Sequence, residues 1–218
     1  MAFFLEMDFI DKNIENYSLA FTEKESDLLE SLNRETYANV LNPRMLSGHL
    51  QGRFLSFLSN MIKPLNILEI GTYTGYSALC LSEGLKDGGH LHTLDINDEY
   101  ASIAKKYFLK SKWKNNIKQH IGNALNILPK IDASFQLAFI DADKENYIKY
   151  FKLLFHKIDV GGYIIADNVL WSGKVLNNYQ DSDTKALHAY NKYVNSLENV
   201  RSMLIPIRDG LMITQKIK

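Results

Sequence analysis

The stretch Leu68-Glu69-Ile70-Gly71-Thr72-Tyr73-Thr74-Gly75 decides the fold. An apolar strand ends in it, the backbone turns at Gly71, and a helical segment over 76–84 opens at Gly75. Glycine has the conformational freedom for such a turn and lets the next helix begin close to a ligand. A dinucleotide-binding turn carries a further glycine two residues after the first, so that backbone can approach a pyrophosphate. Here that position is Tyr73, which argues against NAD, FAD and nicotinamide oxidoreduction and for a nucleoside ligand without phosphates. Glu69 is an acid in an apolar strand end, where an unpartnered carboxylate is costly. Ligand binding is favoured over the alternative, a carboxylate satisfied by nearby backbone N–H groups.

Downstream of the turn, short apolar strands alternate with helical stretches. Strands are expected at 67–70, 91–95, 117–120, 137–140, 163–166, 200–205 and 211–215. Helical segments fall near 76–84, 98–110, 145–156 and 182–197, with a short one near 124–128. Such alternation needs crossover connections and gives a mostly parallel sheet with helices on both faces. Asp209-Gly210 is a hairpin-type turn, so the last strand should run antiparallel to its partner. Upstream, residues 1–62 read as helices only, a cap on the α/β core of 63–218 within one domain spanning 1–218. Ile10, Ile14 and Tyr17 recur at helical spacing, as do Leu29, Leu32, Thr36 and Val40. Thr22 and Glu25 form a capping-box pattern. Leu50, Phe54, Phe57 and Met61 make a third apolar stripe, closed by Lys63-Pro64.

Composition narrows the class. Across 218 residues, 25 basic and 25 acidic side chains cancel, so no basic surplus marks nucleic acid as a partner. The single cysteine, Cys80, excludes an intramolecular disulfide and reads as a small core residue. The start, Met1-Ala2-Phe3-Phe4-Leu5-Glu6, lacks a basic leader, and no apolar run approaches the length of a membrane span. A cytoplasmic enzyme is the expectation. Zero net charge gives little colloidal repulsion, compatible with self-association.

Ligands of such sheets bind beyond the carboxyl ends of the strands. Asp95 ends the second strand, where an acid can take both hydroxyls of a ribose; Asn97 or Asp98 remains to cap the helix that follows. Gly122-Asn123-Ala124 follows the third strand and can present backbone and small side chains to an adenine. Glu69, Gly71, Asp95 and Ala124 occupy successive cofactor-motif positions of the class I methyltransferases, which the chain resembles over almost its whole length. That resemblance implies a Rossmann-like seven-stranded sheet of order 3-2-1-4-5-7-6, its seventh strand antiparallel, binding S-adenosylmethionine.

Two more strand ends carry acids, in Ile140-Asp141-Ala142-Asp143-Lys144 and Ala166-Asp167-Asn168. Adjacent parallel strands would bring Asp141 together with Asp167 and Asn168, and all-oxygen ligands suit Mg²⁺, Ca²⁺ or Mn²⁺. A cation there polarises a hydroxyl, and Lys144 beside it becomes a candidate general base. The stretch from Asp141 to Tyr147, with Asp167-Asn168-Val169-Leu170-Trp171, resembles the cation-dependent O-methyltransferases of the caffeoyl-CoA and catechol type. Met45-Leu46-Ser47 fits that family's cofactor cover. The resemblance implies that Asp141, Asp167 and Asn168 hold the metal and that Lys144, with Asp141, carries catalysis. It also implies that Met45, Ser47, Thr72, Tyr73, Ser77, Ile96 and Asp143 join Glu69, Gly71, Asp95, Ala124 and Asp141 around the cofactor. It further implies a homodimer.

Ser172 stands where the plant enzymes usually have Asn, Asn123 where many relatives have Asp, and the N-terminal helices match the plant pattern poorly. The reaction therefore carries over and the caffeoyl-CoA substrate does not. The expected acceptor is a small vicinal diphenol or another chelating hydroxyl compound. Residues 169–181, with Trp171, Ser172 and Tyr179, form the expected acceptor-facing loop. The alternatives are a tRNA hydroxyuridine, favoured if Lys105, Lys106, Lys110, Lys112 and Lys114 form a basic stripe at the acceptor mouth, and a non-catalytic cofactor-binding dimer. His90 and His92 should face one side of their strand as a surface pair, and His49 should serve helix packing.

Overall fold

A computed structural model describes residues 10–178 and 180–218; residues 1–9 and Tyr179 lie outside them. In chain order its elements are α1 (Lys12–Ala20), α2 (Asp27–Asn39), α3 (Gly48–Ile62), β1 (Asn66–Ile70), α4 (Tyr76–Ser82), β2 (His90–Asp95), α5 (Ala101–Lys110), β3 (Ile117–Ile121), α6 (Ala124–Ile127), β4 (Phe135–Ile140), α7 (Tyr147–Lys157), β5 (Ile158–Ala166), α8 (Ser182–Asn195), β6 (Val200–Ile205) and β7 (Leu211–Lys216). The sheet order is β3-β2-β1-β4-β5-β7-β6, with β7 antiparallel to both neighbours and the remaining pairs parallel. This is the topology the sequence implied.

Side chains alternate across the strands, so each strand feeds two apolar layers. Leu68, Ile70, Ala138, Ile140 and Ile164 pack toward α7 and α8, beside Phe151, Leu154, Leu187 and Tyr190. Ile67, Leu91, Leu137, Phe139 and Ile165 pack toward the other layer, with Leu29, Leu32, Leu55, Leu79 and Phe108. Burying one such large aliphatic side chain contributes roughly 1.5–3 kcal/mol. Both layers hold the strand ends rigid where the acids emerge.

The N-terminal helices depart from their sequence pattern. Ile14 and Tyr17 of α1 are 60% and 68% exposed, and the helix buries none of its residues. Thr22 donates to Ser18 O, while Ser26 caps α2 by accepting from Leu29 N, so the Thr22–Glu25 box is not the cap. In α3 the stripe is rotated: Phe57 and Met61 face out, while Gln51, Gly52, Arg53, Leu55, Ser56 and Ser59 are buried. Those polar groups find distant partners, Arg53 on Glu83 and Ser59 on Leu81 O, and local periodicity does not record such partners. His92 is no surface residue either. Its ring stacks on His120 of β3, with Nδ1 3.1 Å from Nε2. Burial and the positive neighbours His120 and Lys118 pull its pKa down to about 4. His49 meets the Glu23 carbonyl at 2.7 Å.

Candidate active site

Register aligns the strand ends into one rim. Leu94, Ile70, Ile140 and Ala166 lie side by side across four parallel strands. The residue beyond each is tied to its neighbour by backbone: Gly122 N to Asp95 O at 2.7 Å, Gly71 N to Leu94 O and Asp141 N to Ile70 O at 2.8 Å, Asp167 N to Ile140 O at 2.9 Å. Four predicted site residues, Gly71, Asp95, Asp141 and Asp167, therefore stand on one edge of the sheet.

Gly71 sits at φ +107°, and a Cβ there would lie 1.8 Å from the Asp141 carbonyl oxygen. The close approach it permits is thus between β1 and β4. Gly75 is likewise a packing glycine, since its Cβ would meet the Phe108 ring of α5. Asp95 accepts from Tyr73 N at 2.7 Å and Asn97 N at 2.9 Å, while Asn97 caps toward Glu99 N. The Tyr73 hydroxyl reaches Asn42 O at 2.9 Å, joining the turn to the short helical turn Pro43–Met45. Ser47 and Ser77 are buried, whereas Met45 and Ile96 are exposed. Thr72 is buried against Thr93, and Ala124 is buried at the start of α6. Glu69 is fully buried; its Oε2 accepts from Thr93 at 2.5 Å and its Oε1 has no partner. Burial pushes this carboxyl up to about 8 against the pull of the nearby Ser77 and Thr93 hydroxyls. A buried carboxylate oxygen without a donor, next to a ribose-competent acid, fits a cofactor bearing both a cationic group and sugar hydroxyls.

The β4/β5 end is made of side chains. Lys144 Nζ donates to Asp141 Oδ1 at 3.1 Å, Asn168 Oδ1 at 2.6 Å and Tyr147 Oη at 2.8 Å. The Tyr147 hydroxyl donates to Asp167 O at 3.1 Å, and burial pushes its pKa well above the usual tyrosine value, so it stays a hydroxyl. Asp167 is fully buried, with Asn168 N on Oδ1 at 2.6 Å and Gln51 Nε2 on Oδ2 at 2.5 Å. Burial, then the Asp141 charge, pushes Asp167 up to about 7. Lys144 pairs with the Asp141 carboxylate, the Asp167 carboxylate is held by Asn168 N and Gln51, and the side chains of Asp141, Asp167 and Asn168 all offer oxygen donors. That set fits a hard divalent cation, with Asp141, Asp167 and Asn168 able to hold it. Asp143 stays apart, its carboxylate taken by Asn146 and Tyr150.

The turn Trp171–Leu176, part of the stretch expected to face the acceptor, lies beside Lys144. Lys144 Nζ lies 5.5 Å from the Trp171 ring centroid, and Trp171 Nε1 is buried without a partner. Asn168, Trp171 and Ser172 adopt φ of 59°, 47° and 50°. Asp209 holds this turn: its carboxylate accepts from Ser172 N and its carbonyl from Leu170 N. Arg208 Nη2 donates to Arg44 O at 2.6 Å, so the β6–β7 hairpin also grips the short helical turn Pro43–Met45. Gln51, Tyr147, Arg208 and Asp209 were not assigned from sequence. Tyr147 closes the Asp141–Tyr147 stretch, and the sequence marks Asp209 only as a turn residue.

Residues 18–217 match the profile of a family described as O-methyltransferase. Caffeoyl-CoA O-methyltransferase of Petroselinum crispum is 31% identical over 207 residues, covering 89% of this chain and 86% of that protein. The enzyme of the same name from Medicago sativa is 30% identical over 208 residues, covering 89% and 84%. An O-methyltransferase from Bacillus cereus, solved in complex with SAH, aligns at a TM-score of 0.87 and 27% identity, over 94% of this chain and 97% of that one. The SAM complex of the O-methyltransferase TomG from Streptomyces achromogenes shares the fold at a TM-score of 0.88 and 24% identity, over 94% and 96%.

Proposed function

The chain belongs to the O-methyltransferase family, and on that premise we propose that it methylates a hydroxyl of a small acceptor with two adjacent oxygens, using S-adenosylmethionine and a divalent cation. The observation that carries this reading is the convergence of Asp141, Asn168 and Tyr147 on Lys144 Nζ, with buried Asp167 behind them. Asp141, Asp167 and Asn168 would hold the cation, Mg²⁺ foremost, with Ca²⁺ or Mn²⁺ compatible with the same oxygens. When bound, it polarises the acceptor hydroxyl and favours its oxyanion.

The rest falls to the chain's own groups. Lys144 is the group placed to take the hydroxyl proton at Nζ, held in place by the Tyr147 hydroxyl and the Asn168 amide oxygen. The acceptor oxygen then bonds the methyl carbon as the carbon–sulfur bond breaks, the electron pair staying on sulfur. Asp95 orients the ribose and Glu69 anchors the charged end of the cofactor, which fixes the methyl group relative to the acceptor. Trp171 and Ser172 cover the acceptor side. The test is methyl transfer from S-adenosylmethionine to a catechol with Mg²⁺ and with EDTA; full activity after thorough metal removal would sink the cation-dependent reading.

A small acceptor is favoured over a tRNA nucleoside. Lys106 is engaged by Glu35 at 2.5 Å, and Lys110 and Lys112 line a cleft of about 720 Å³ that shares no lining residue with the acceptor wall. No helix among the described residues is long and apolar enough to cross a membrane. The expected homodimer is supported by the outward face of α3. Phe57 and Met61 there are 61% and 77% exposed, and Met61 lines an apolar hollow of about 310 Å³ between α3 and strands β5 and β7. Light scattering on the wild type and Met61→Glu tests it; a monomeric wild type rejects it.

A further inference from the structure

Among the polar residues that α3 buries, Gln51 reaches into the β4/β5 half of the site. It is 1% exposed, its Nε2 lies 2.5 Å from Asp167 Oδ2, and its Oε1 is buried without a partner. The residues that follow it pin the helix. A Cβ on Gly52 would lie 2.6 Å from the Tyr76 ring, and Arg53 is bidentate on Glu83 at 2.8 and 2.9 Å. The stretch of α3 that carries the amide is therefore held in place opposite the carboxylate.

The residue type matters as much as the position. Asp167 Oδ1 already accepts from Asn168 N, so the Gln51 amide fixes the second oxygen and with it the plane of the carboxylate. A lysine or arginine here would neutralise Asp167 and compete with a divalent cation. A glutamate would set a second negative charge directly against the buried Asp167 carboxylate. An apolar residue would leave a fully buried carboxylate oxygen short of a donor, which is costly and lets the group rotate. An amide avoids all three.

We propose that Gln51 is a positioning residue of the cation site, orienting Asp167 with an uncharged donor so that the carboxylate stays available to the metal. The inference rests on the cation-dependent reading above. Groups that orient ligands in this way typically affect metal affinity about 10- to 100-fold.

The test is Mn²⁺ titration followed by the electron paramagnetic resonance of the free ion, on wild type, Gln51→Met and Asp167→Ala. Gln51→Met keeps the volume and removes both polar atoms. It should weaken Mn²⁺ binding at least about 10-fold while the Kd for S-adenosylhomocysteine stays within about twofold. Wild-type Mn²⁺ affinity in Gln51→Met, with binding lost in Asp167→Ala, overturns this inference alone. A wild type that binds no Mn²⁺ overturns the cation-dependent reading and this inference with it. Should Gln51→Met fail to fold, Gln51→Glu serves. Facing Asp167 with a carboxylate, it should melt lower than wild type without metal and gain more in melting temperature on Mn²⁺ addition. An unchanged metal-free melting temperature together with an unchanged gain would reject the role.

Discussion

The two halves of the site are built by different means. At the β1/β2 end the structure is mostly backbone: Gly71 packed on the Asp141 carbonyl, Asp95 wrapped by the amides of Tyr73 and Asn97. At the β4/β5 end it is mostly side chain, with Lys144, Asp141, Asn168, Tyr147 and Asp167 holding one another. Backbone geometry is fixed when the sheet forms, so damage to the first half should appear as lost stability or cofactor affinity. A cluster of charged side chains is carried by the finished fold, so damage to the second half should appear as lost turnover with the fold intact.

The sharpest attempt to break that division is Gly71→Ala. The new methyl group collides with the backbone of β4, so stability should fall by about 3 kcal/mol or more, at the severe end for single substitutions. Thermal denaturation by circular dichroism measures it; a melting temperature within two degrees of wild type would remove the distinction. Lys144→Ala comes next, with turnover expected to drop about 10²- to 10⁴-fold while S-adenosylmethionine affinity is kept. Steady-state kinetics and calorimetric titration separate the two parameters.

A third measurement uses pH. The Glu69 carboxyl is pushed up to about 8 from its ordinary value of 4.5, so the unfolded chain ionises before the folded one. Its contribution to stability is therefore full below about pH 4.5, is lost as pH rises toward 8, and then levels off. Glu69→Gln should flatten that decline in the cofactor-free protein, and an identical slope in both proteins would show that Glu69 does not set it. The smallest effect is expected from Tyr73→Phe, which removes only the bond to Asn42 O. A neutral hydrogen bond of about 0.5–1.5 kcal/mol corresponds to roughly a 2- to 10-fold rise in the KM for cofactor. An equal rise in the KM for acceptor would show that the halves are not separate.

The same contrast explains what could be read from the sequence. Gly71, Asp95, Asp141 and Asp167 were legible because each ends an apolar strand or directly follows one, and strand order fixes where such residues gather. The helical cap was less legible. Its buried face in α3 is carried by Gln51, Arg53, Ser56 and Ser59, which are tolerated inside only because Asp167, Glu83 and Leu81 O receive them. Those partners lie 22 to 116 residues away, beyond the reach of any local pattern. Phe57 and Met61 misled in the opposite sense, as apolar residues on an outward face. Asp209 was hidden because a hairpin acid is ordinary, and only the tertiary fold brings it onto Ser172.

That hairpin makes two loops answer to one support. Arg208 holds the turn Pro43–Met45 at Arg44 O, and Asp209 holds the turn Trp171–Leu176 at Leu170 N and Ser172 N. Arg208 sits at a φ of 54°, a conformation that costs a non-glycine residue roughly 1–3 kcal/mol. Loosening either turn pulls on the same two residues. The two turns therefore share a mechanical joint, and a longer turn between β6 and β7 would shift both together.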